Sequence, residues 1–317
     1  MSKKIPVGIL GATGLVGKQY VKLLQSHPQF DLIFQATRKS IEDFDAAKKC
    51  RLLFSALPSP IAQKIEPEYA KKGIPIFSSA SCHRLHNDIP LIIPEVNPDH
   101  LNMVTMQQKN RMWKEGCIIA KPNCTLQSYI LPLCPLHKRF TLERLLVTNL
   151  QAISGAGKGY ELENNIIPYI LGEEEKSESE PLKILGKWDG HNLHLPAISI
   201  STHCTRVPVK HGHLACVSAS FKEKPSLDEV KHIWKHFKGL KLPTAPQYPL
   251  IYFKKDDRPQ PKLDYLCGQG MSVALGRLRE CSLFDIRFIA LSHNLIRGAA
   301  GGGILTAELY CKQYMYL

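Results

Sequence analysis

Over the first 125 residues, short apolar runs alternate with amphipathic ones. "IPVGIL" is followed by "LVGKQYVKLLQSH", in which Leu15, Val16, Tyr20, Leu23 and Leu24 share one helical face. "DLIFQAT", "RLLFSAL", "IPIFSS" and "GCIIA" read as further strands. "SPIAQKIEPEYAKKG" predicts a helix with Ser59 as N-cap, Pro60 in the first helical position and Gly73 as its stop. Alternation of this kind predicts a doubly wound parallel sheet. Beyond residue 125 the pattern changes. "RLLVTNLQA", "ISISTHCTR", "HLACVSASF", "GMSVALGRLR" and "LFDIRFIAL" are strand candidates, and "SLDEVKHIWKHF" is a helix capped by Ser226. "GEEEKSESE" taken alone is a solvated loop or helix end. The tail "IRGAAGGGILTAELYC" turns helical after its glycines. Strands outnumber helices here, which predicts a mixed, mainly antiparallel second sheet.

Composition narrows the class. A chain of 317 residues, 44% hydrophobic and 22% charged, is globular with a substantial core. No apolar run approaches the roughly 20 residues that span a bilayer. In "MSKKIPVGILGATG" the apolar run is broken by Gly8 and Gly11 and lacks an A-x-A pattern, so it reads as a first strand, not a signal peptide, and a cytoplasmic location is expected. The ten cysteines are scattered without C-x-x-C spacing, against a zinc ribbon or a disulfide framework. The pairs His232/His236, His211/His213 and His191/His194 have no third convergent ligand, so no metal is expected. The net charge of +13 makes nucleic acid one class of partner. The cations are spread along the chain, however, with no nucleic-acid motif, and a positive field also suits an enzyme whose ligands are anions.

Two stretches carry candidate chemistry. "VGILGATGLVGK" sets Gly8, Gly11, Gly14 and Gly17 between a strand and a helix, where backbone must turn tightly and approach a pyrophosphate. The second strand ends in "ATRKS". An NAD site wants an acid there; Thr37, Arg38, Lys39 and Ser40 suit the 2′-phosphate of NADP, with an exposed basic loop as the plain alternative. The other stretch is "KPNCTLQ". Cys124 follows a strand and precedes an apolar segment; at a helix N-terminus the macrodipole and free N–H groups favour a thiolate. Asn123 and Thr125 offer hydrogen bonds, and Pro132 is expected to kink or end the helix two turns on. Cysteines of this kind are also common as buried structural thiols. His213, in "VKHGHLAC", is a candidate acid/base, and a structural histidine is the alternative.

Taken together, "GATGLVG", "FSALPS", "RLHNDIPLIIPEVN", "PNCT", "QAISGAG", "IPYILGEEEKSESEPLKILG", "RVPVKHGH", "DDRPQPKLD" and "HNLIRGAAGG" resemble the aspartate-β-semialdehyde dehydrogenases, nearly end to end and closest to their archaeal and fungal branch. The spacings of 27 residues from Cys124 to Gln151 and 7 from Arg206 to His213 agree with that family. The resemblance implies a Rossmann-type NADP-binding domain over 1–124, completed by a C-terminal helix 294–317. It implies an α+β catalytic and dimerisation domain over 125–293, and a homodimer or homotetramer. It implies NADPH-dependent reductive dephosphorylation of L-aspartyl-4-phosphate to L-aspartate 4-semialdehyde, in the pathway to lysine and diaminopimelate, threonine and methionine. In that chemistry Cys124 is the nucleophile, His213 the acid/base, and Gln151 orients the acyl intermediate. Arg206 pairs with the α-carboxylate, Glu173 with the α-ammonium, and Arg84 and Lys176 with phosphate; Asn123 lends its amide to the oxyanion. Gly11, Thr13, Gly14, Leu15, Val16, Arg38, Ser40, Ser154, Gly155 and Asn294 belong to the cofactor site. Small-molecule substrates, and neither nucleic acid nor membrane, are the expected partners.

Two departures stand out. The segment after Ser40 is shorter than in relatives, which opens the adenosine side and leaves use of NAD open. Relatives read "NCST" where this chain reads "NCTL", so Leu126 replaces a hydroxyl; a phosphate or nicotinamide contact is expected to suffer, with a changed KM. Among related acyl reductases, N-acetylglutamyl-phosphate reductase carries a "GCYPT"-like motif absent here. Malonyl-CoA reductase is a closer rival, against which Glu173 argues, since malonyl-CoA has no ammonium.

Overall fold

The structure, a computed structural model, describes residues 4–157 and 162–315. The first half runs β1 (Ile5–Leu10), α1 (Leu15–Leu24), β2 (Phe30–Ala36), α2 (Phe44–Ala47), β3 (Leu52–Ser55), α3 (Ser59–Lys71), β4 (Ile76–Ser78), α4 (Met103–Arg111) and β5 (Ile118–Ala120). Its strands form a parallel sheet in the order β2-β1-β3-β4-β5. The inner strands β3 and β4 are buried on both faces, which is why they read as unbroken apolar runs.

The chain continues through α5 (Leu126–Phe140), β6 (Leu142–Ala152), α6 (Glu173–Ile184), a hairpin of β7 (Lys187–Trp188) and β8 (Leu193–His194), β9 (Ser199–Val207), β10 (His213–Phe221) and α7 (Leu227–His236). It then adds β11 (Leu250–Phe253), α8 (Pro261–Asp264), β12 (Val273–Glu280), β13 (Ile286–Ser292), a π turn over Ile296–Ala300 and α9 (Gly301–Tyr314). The second sheet has the order β11-β12-β13-β10-β6-β9. Its three inner pairings are antiparallel and the two at its edges parallel, so it is mixed and mainly antiparallel. One face packs on α5 and α7, where Ile130, Leu133, Val147, Val217, Trp234 and Phe288 join one core. Each such side chain contributes about 1.5–3 kcal/mol through burial. The opposite face presents Leu146, Thr148, Leu150, Leu214, Cys216 and Ser218, half-buried.

Four local expectations change. α3 is capped by Pro58, and Ser59 is already helical; its hydroxyl is engaged instead with Ser81, at 2.9 Å to Oγ and 3.1 Å from the N–H. α5 runs straight through Pro132 and Pro135 to Phe140, because it is buried on nearly every side and Trp234 Nε1–H donates to the Pro132 carbonyl at 3.0 Å. The glycines of the tail lie inside the helix, since a Cβ at Gly303 would stand 2.0 Å from the Tyr20 hydroxyl oxygen. α9 thereby lies close against α1 and seals the first sheet with Ile304, Ala307, Tyr310 and Cys311.

The acidic run is the fourth. It is α6, laid along the edge strand β9. Glu178 accepts from Thr202 N–H and Glu174 from Cys204 N–H, each at 3.0 Å. Carboxylates thus satisfy backbone donors that an open edge would leave free.

Candidate active site

Cys124 sits in the turn between β5 and α5. Inside that turn Asn123 Oδ1 accepts from Thr125 N–H at 2.9 Å, and the helix starts at Leu126. The thiol therefore stands at a helix N-terminus, where the backbone dipoles favour negative charge. Its sulfur lies 3.3 Å from His213 Nε2. His213 opens β10 and is fully buried. Its Nδ1 accepts the Ala152 N–H at 3.0 Å. A backbone N–H only donates, so Nδ1 is bare and Nε2 carries the proton of a neutral ring. Burial, with the Arg206 charge behind it, pushes the histidine down to about 3. His213 is thus a donor to sulfur.

Glu173, at the start of α6, gathers the neighbouring groups. Its Oε2 accepts from Asn123 Nδ2 at 2.8 Å and Gln151 Nε2 at 2.9 Å; its Oε1 accepts from Lys176 Nζ at 3.0 Å. Burial raises its carboxyl, but Lys176 and the hydrogen bonds from Gln151, Asn123 and Lys176 outweigh burial and hold it below the usual range. Arg206 Nη1 donates to the Ala152 carbonyl at 2.9 Å and to Gln151 Oε1 at 3.4 Å. Arg84 is buried, with Nη1 on Glu180 Oε1 at 2.8 Å and Nη2 on the Ser79 carbonyl at 2.9 Å.

One cavity of about 380 Å³ joins these groups to the glycine turn. Gly14, Leu15, Val16, Ser154, Gly155 and Asn294 line it beside Cys124, Asn123, Arg84, Glu173 and Lys176. Gln151 and Arg206 face an adjoining pocket that also contains Cys124. Asn294 is tied in on both sides: its Nδ2 donates to Ser154 Oγ at 2.9 Å and its Oδ1 accepts from Gly212 N–H at 3.0 Å. Gly11 holds φ at +81°, a left-handed conformation open to glycine at little cost. Gly11, Thr13, Arg38 and Ser40 lie outside the cavity lining. Arg38 and Lys39 are exposed, while Ser40 Oγ accepts from Thr37 N–H at 3.0 Å and shapes the loop itself. A glycine turn with exposed cations beyond the end of β2 fits a dinucleotide bearing a 2′-phosphate.

Leu126 does not face the cavity. It is wholly buried in the core with Ile130 and Leu133. A hydroxyl there would point into packing, so the expected loss of a ligand contact has no geometric basis. Thr125 is buried as well, its Oγ1 without a partner.

Sequence reasoning missed two residues. Glu180 Oε2 accepts the Asn123 N–H at 2.7 Å while its other oxygen holds Arg84, so one buried carboxylate sets both the cysteine turn and the arginine. Its spacing of seven residues from Glu173, two helical turns on the same face, was the available signal. Lys121 is the other. Among the described residues no group of three or more His, Cys, Asp or Glu could hold a metal, and no helix is long and apolar enough to cross a membrane.

The sequence matches two families: one described as semialdehyde dehydrogenase, NAD binding domain, over residues 6–43 and 36–104, and one described as semialdehyde dehydrogenase, dimerisation domain, over residues 133–297. The aspartate-semialdehyde dehydrogenase of Archaeoglobus fulgidus is 40% identical, with 97% of this chain and 98% of that one covered. The malonyl CoA reductase (NADP) of Metallosphaera sedula is 35% identical over 99% and 98%. Among solved structures, aspartate semialdehyde dehydrogenase with NADP from Candida albicans superposes with a TM-score of 0.85 at 35% identity, covering 98% of this chain and 99% of that one. With the thiol, the paired charges and the glycine turn in one cavity, and with matches of this length on both domains, the chain belongs to the aspartate-semialdehyde dehydrogenase family, alongside its archaeal and fungal members.

Proposed function

We propose that the protein carries out NADPH-dependent reductive dephosphorylation of L-aspartyl-4-phosphate to L-aspartate 4-semialdehyde through a thioester on Cys124, in the pathway to lysine and diaminopimelate, threonine and methionine. One observation carries this reading: around a thiol 3.3 Å from a histidine stand two arginines, two lysines and a glutamate, of which Arg84, Arg206, Lys176 and Glu173 complement a phosphorylated zwitterion. The Cys124 thiolate attacks the acyl carbon and the bond to the phosphate oxygen breaks. Arg84 and Lys176 neutralise the departing phosphate, which ends with the one proton the reaction consumes. Arg206 takes the α-carboxylate, and Glu173 exchanges its Lys176 contact for the α-ammonium. Gln151 and Asn123, both already on Glu173, orient the acyl group. His213 gives a hydrogen bond from Nε2–H first to sulfur and then to the oxyanion of the tetrahedral species on Cys124, the proton staying on the ring. Collapse of that species releases the aldehyde and returns the thiolate.

NADPH supplies the hydride when bound. Gly11, Thr13, Gly14, Leu15 and Val16 would cradle its phosphates, Arg38 with Ser40 would receive the 2′-phosphate, and Ser154, Gly155 and Asn294 would flank the nicotinamide. Residues 1–124 with the C-terminal helix 294–317 form the cofactor unit in this reading, although residues 316 and 317 lie outside those described. Residues 125–293 form the catalytic and dimerisation unit, and the half-buried face of the second sheet is the surface on which a homodimer, or a tetramer of such dimers, would form. The ten free cysteines suit the reducing cytoplasm.

The test is an assay of the purified protein with aspartate semialdehyde, phosphate and either NADP or NAD, beside malonyl-CoA with NADPH. Phosphate-dependent reduction of NADP is expected. Turnover of malonyl-CoA alone would overturn the substrate assignment, and Glu173 is the residue that predicts against it.

A further inference from the structure

We propose that Lys121 is a positioning residue of the nucleophile: its buried ammonium, pinned in the cavity wall beside Cys124, provides the positive charge against which the sulfur ionises. This rests on Cys124 being the nucleophile. Lys121 directly follows β5, three residues before the thiol, and is only 5% exposed. Its Nζ donates to the carbonyls of Pro122 and Gly298. Both acceptors adjoin Cys124. Pro122 leads into its turn, and Gly298 lies so close that a Cβ there would stand 2.8 Å from Cys124 Cβ. The ammonium therefore cannot swing away to water, and it lines the same cavity as the sulfur. Neither His213 nor the turn supplies a full charge: the histidine is neutral, with Nε2–H towards sulfur.

The groups facing Cys124 oppose one another. Burial and then the Glu173 carboxylate push the thiol up; Lys121 leads the charges that push it down, followed by Arg84 and Arg206. Lys121 in turn is brought down to about 8 by burial and by Arg84, and is supported by Cys124, Glu180 and Glu173. At neutral pH it remains largely protonated, and a thiolate beside it reinforces that state. Arg84 and Arg206 have proposed anions in the substrate, whereas Lys121, among the described residues, hydrogen-bonds two backbone carbonyls and is left to act on the sulfur. Ionisation breaks the S–H bond and releases its proton to buffer.

The experiment is the pH profile of Cys124 carboxamidomethylation by iodoacetamide, followed on its peptide by mass spectrometry in the absence of substrate. Lys121→Gln keeps donors for both carbonyls and removes the charge. Its midpoint should rise by about one pH unit, a roughly tenfold slower reaction at pH 7. Lys121→Arg should restore the native midpoint, and His213→Asn should move it less than Lys121→Gln does. An unchanged midpoint in Lys121→Gln overturns the proposal, as does a shift that Lys121→Arg fails to reverse. If Lys121→Gln does not melt cooperatively, Lys121→Met is held to the same criterion. Since no substrate enters, a protein inactive on aspartate semialdehyde would refute the proposed reaction without deciding this point.

Discussion

The two ends of the proposed site are built on opposite principles. At the cofactor end Thr13, Gly14, Thr37, Arg38 and Lys39 are exposed, and their hydrogen bonds are short-range, as between Thr37 and Ser40. At the catalytic end Arg84, Asn123, Gln151, Arg206 and His213 are buried, each tied to residues far along the chain. Exposed charges are screened and act nearly independently. Buried ones are worth more and fail together, because removing one partner leaves another unsatisfied. In the proposed reading one end would recognise through adjustable charge, while the other is held in place by its own hydrogen bonds.

The sharpest break is at the thiol. Cys124→Ala should abolish phosphate-dependent oxidation of aspartate semialdehyde while NADP binding, measured by calorimetry, stays intact; full activity would sink the thioester. Next is Glu180, which touches no substrate in this reading. Breaking its pairing with Arg84 costs about 3–5 kcal/mol in a buried setting. Glu180→Gln should therefore lower kcat/KM by roughly 10² or more, with KM for phosphate raised. A near-native value would show that the catalytic end is not interlocked.

The third probe is acid. His213 is held down to about 3 and His293, buried beside His211, to about 4. Unfolded histidines titrate near 6.5, so between that value and the folded ones the unfolded chain binds more protons. Stability contributed by these rings is complete above about pH 6.5 and falls as pH drops towards 4, by up to about 1.4 kcal/mol per unit for each ring. Denaturant unfolding at pH 7, 6 and 5 should show the decline, and His293→Gln should flatten it.

The cofactor end should respond more gently. Arg38→Ala is expected to raise KM for NADP by roughly tenfold, with a smaller effect in high salt and little change with NAD. A loss as large as that of Glu180→Gln would erase the contrast. On the reaction, Leu126→Ser should do least. KM should hardly move, whereas the melting temperature should fall, since removing a buried leucine side chain costs about 2–5 kcal/mol.

That last case shows where sequence is legible. The strand–helix alternation, the glycine turn and the Ser226 cap were readable because each is a local pattern with a local cause, and the structure adds Glu229 to that cap. Cys124 and His213 were readable as types, and the fold brings them within contact distance. Burial was not readable. Leu126 read as a lost hydroxyl because relatives carry one at that position, two residues after the cysteine, yet the helix turns it into the core. Glu180 was read with its acidic run as solvated, although its spacing from Glu173 puts both on one helical face, and Lys121 was not singled out at all. Pro132 was expected to break a helix, and the packing around α5 overrode that local preference.

Gly298 and Asn294 bear on how the enzyme is made. Translation reaches them some 170 residues after Cys124. Until residues 294–298 emerge from the ribosome, a nascent chain holds the thiol and most of the charges around it. It still lacks the carbonyl that anchors Lys121 and the side chain that fixes the backbone before His213. The surroundings of the proposed nucleophile are thus completed late in synthesis, and a premature stop ahead of these residues would be a lesion in chemistry as much as in folding.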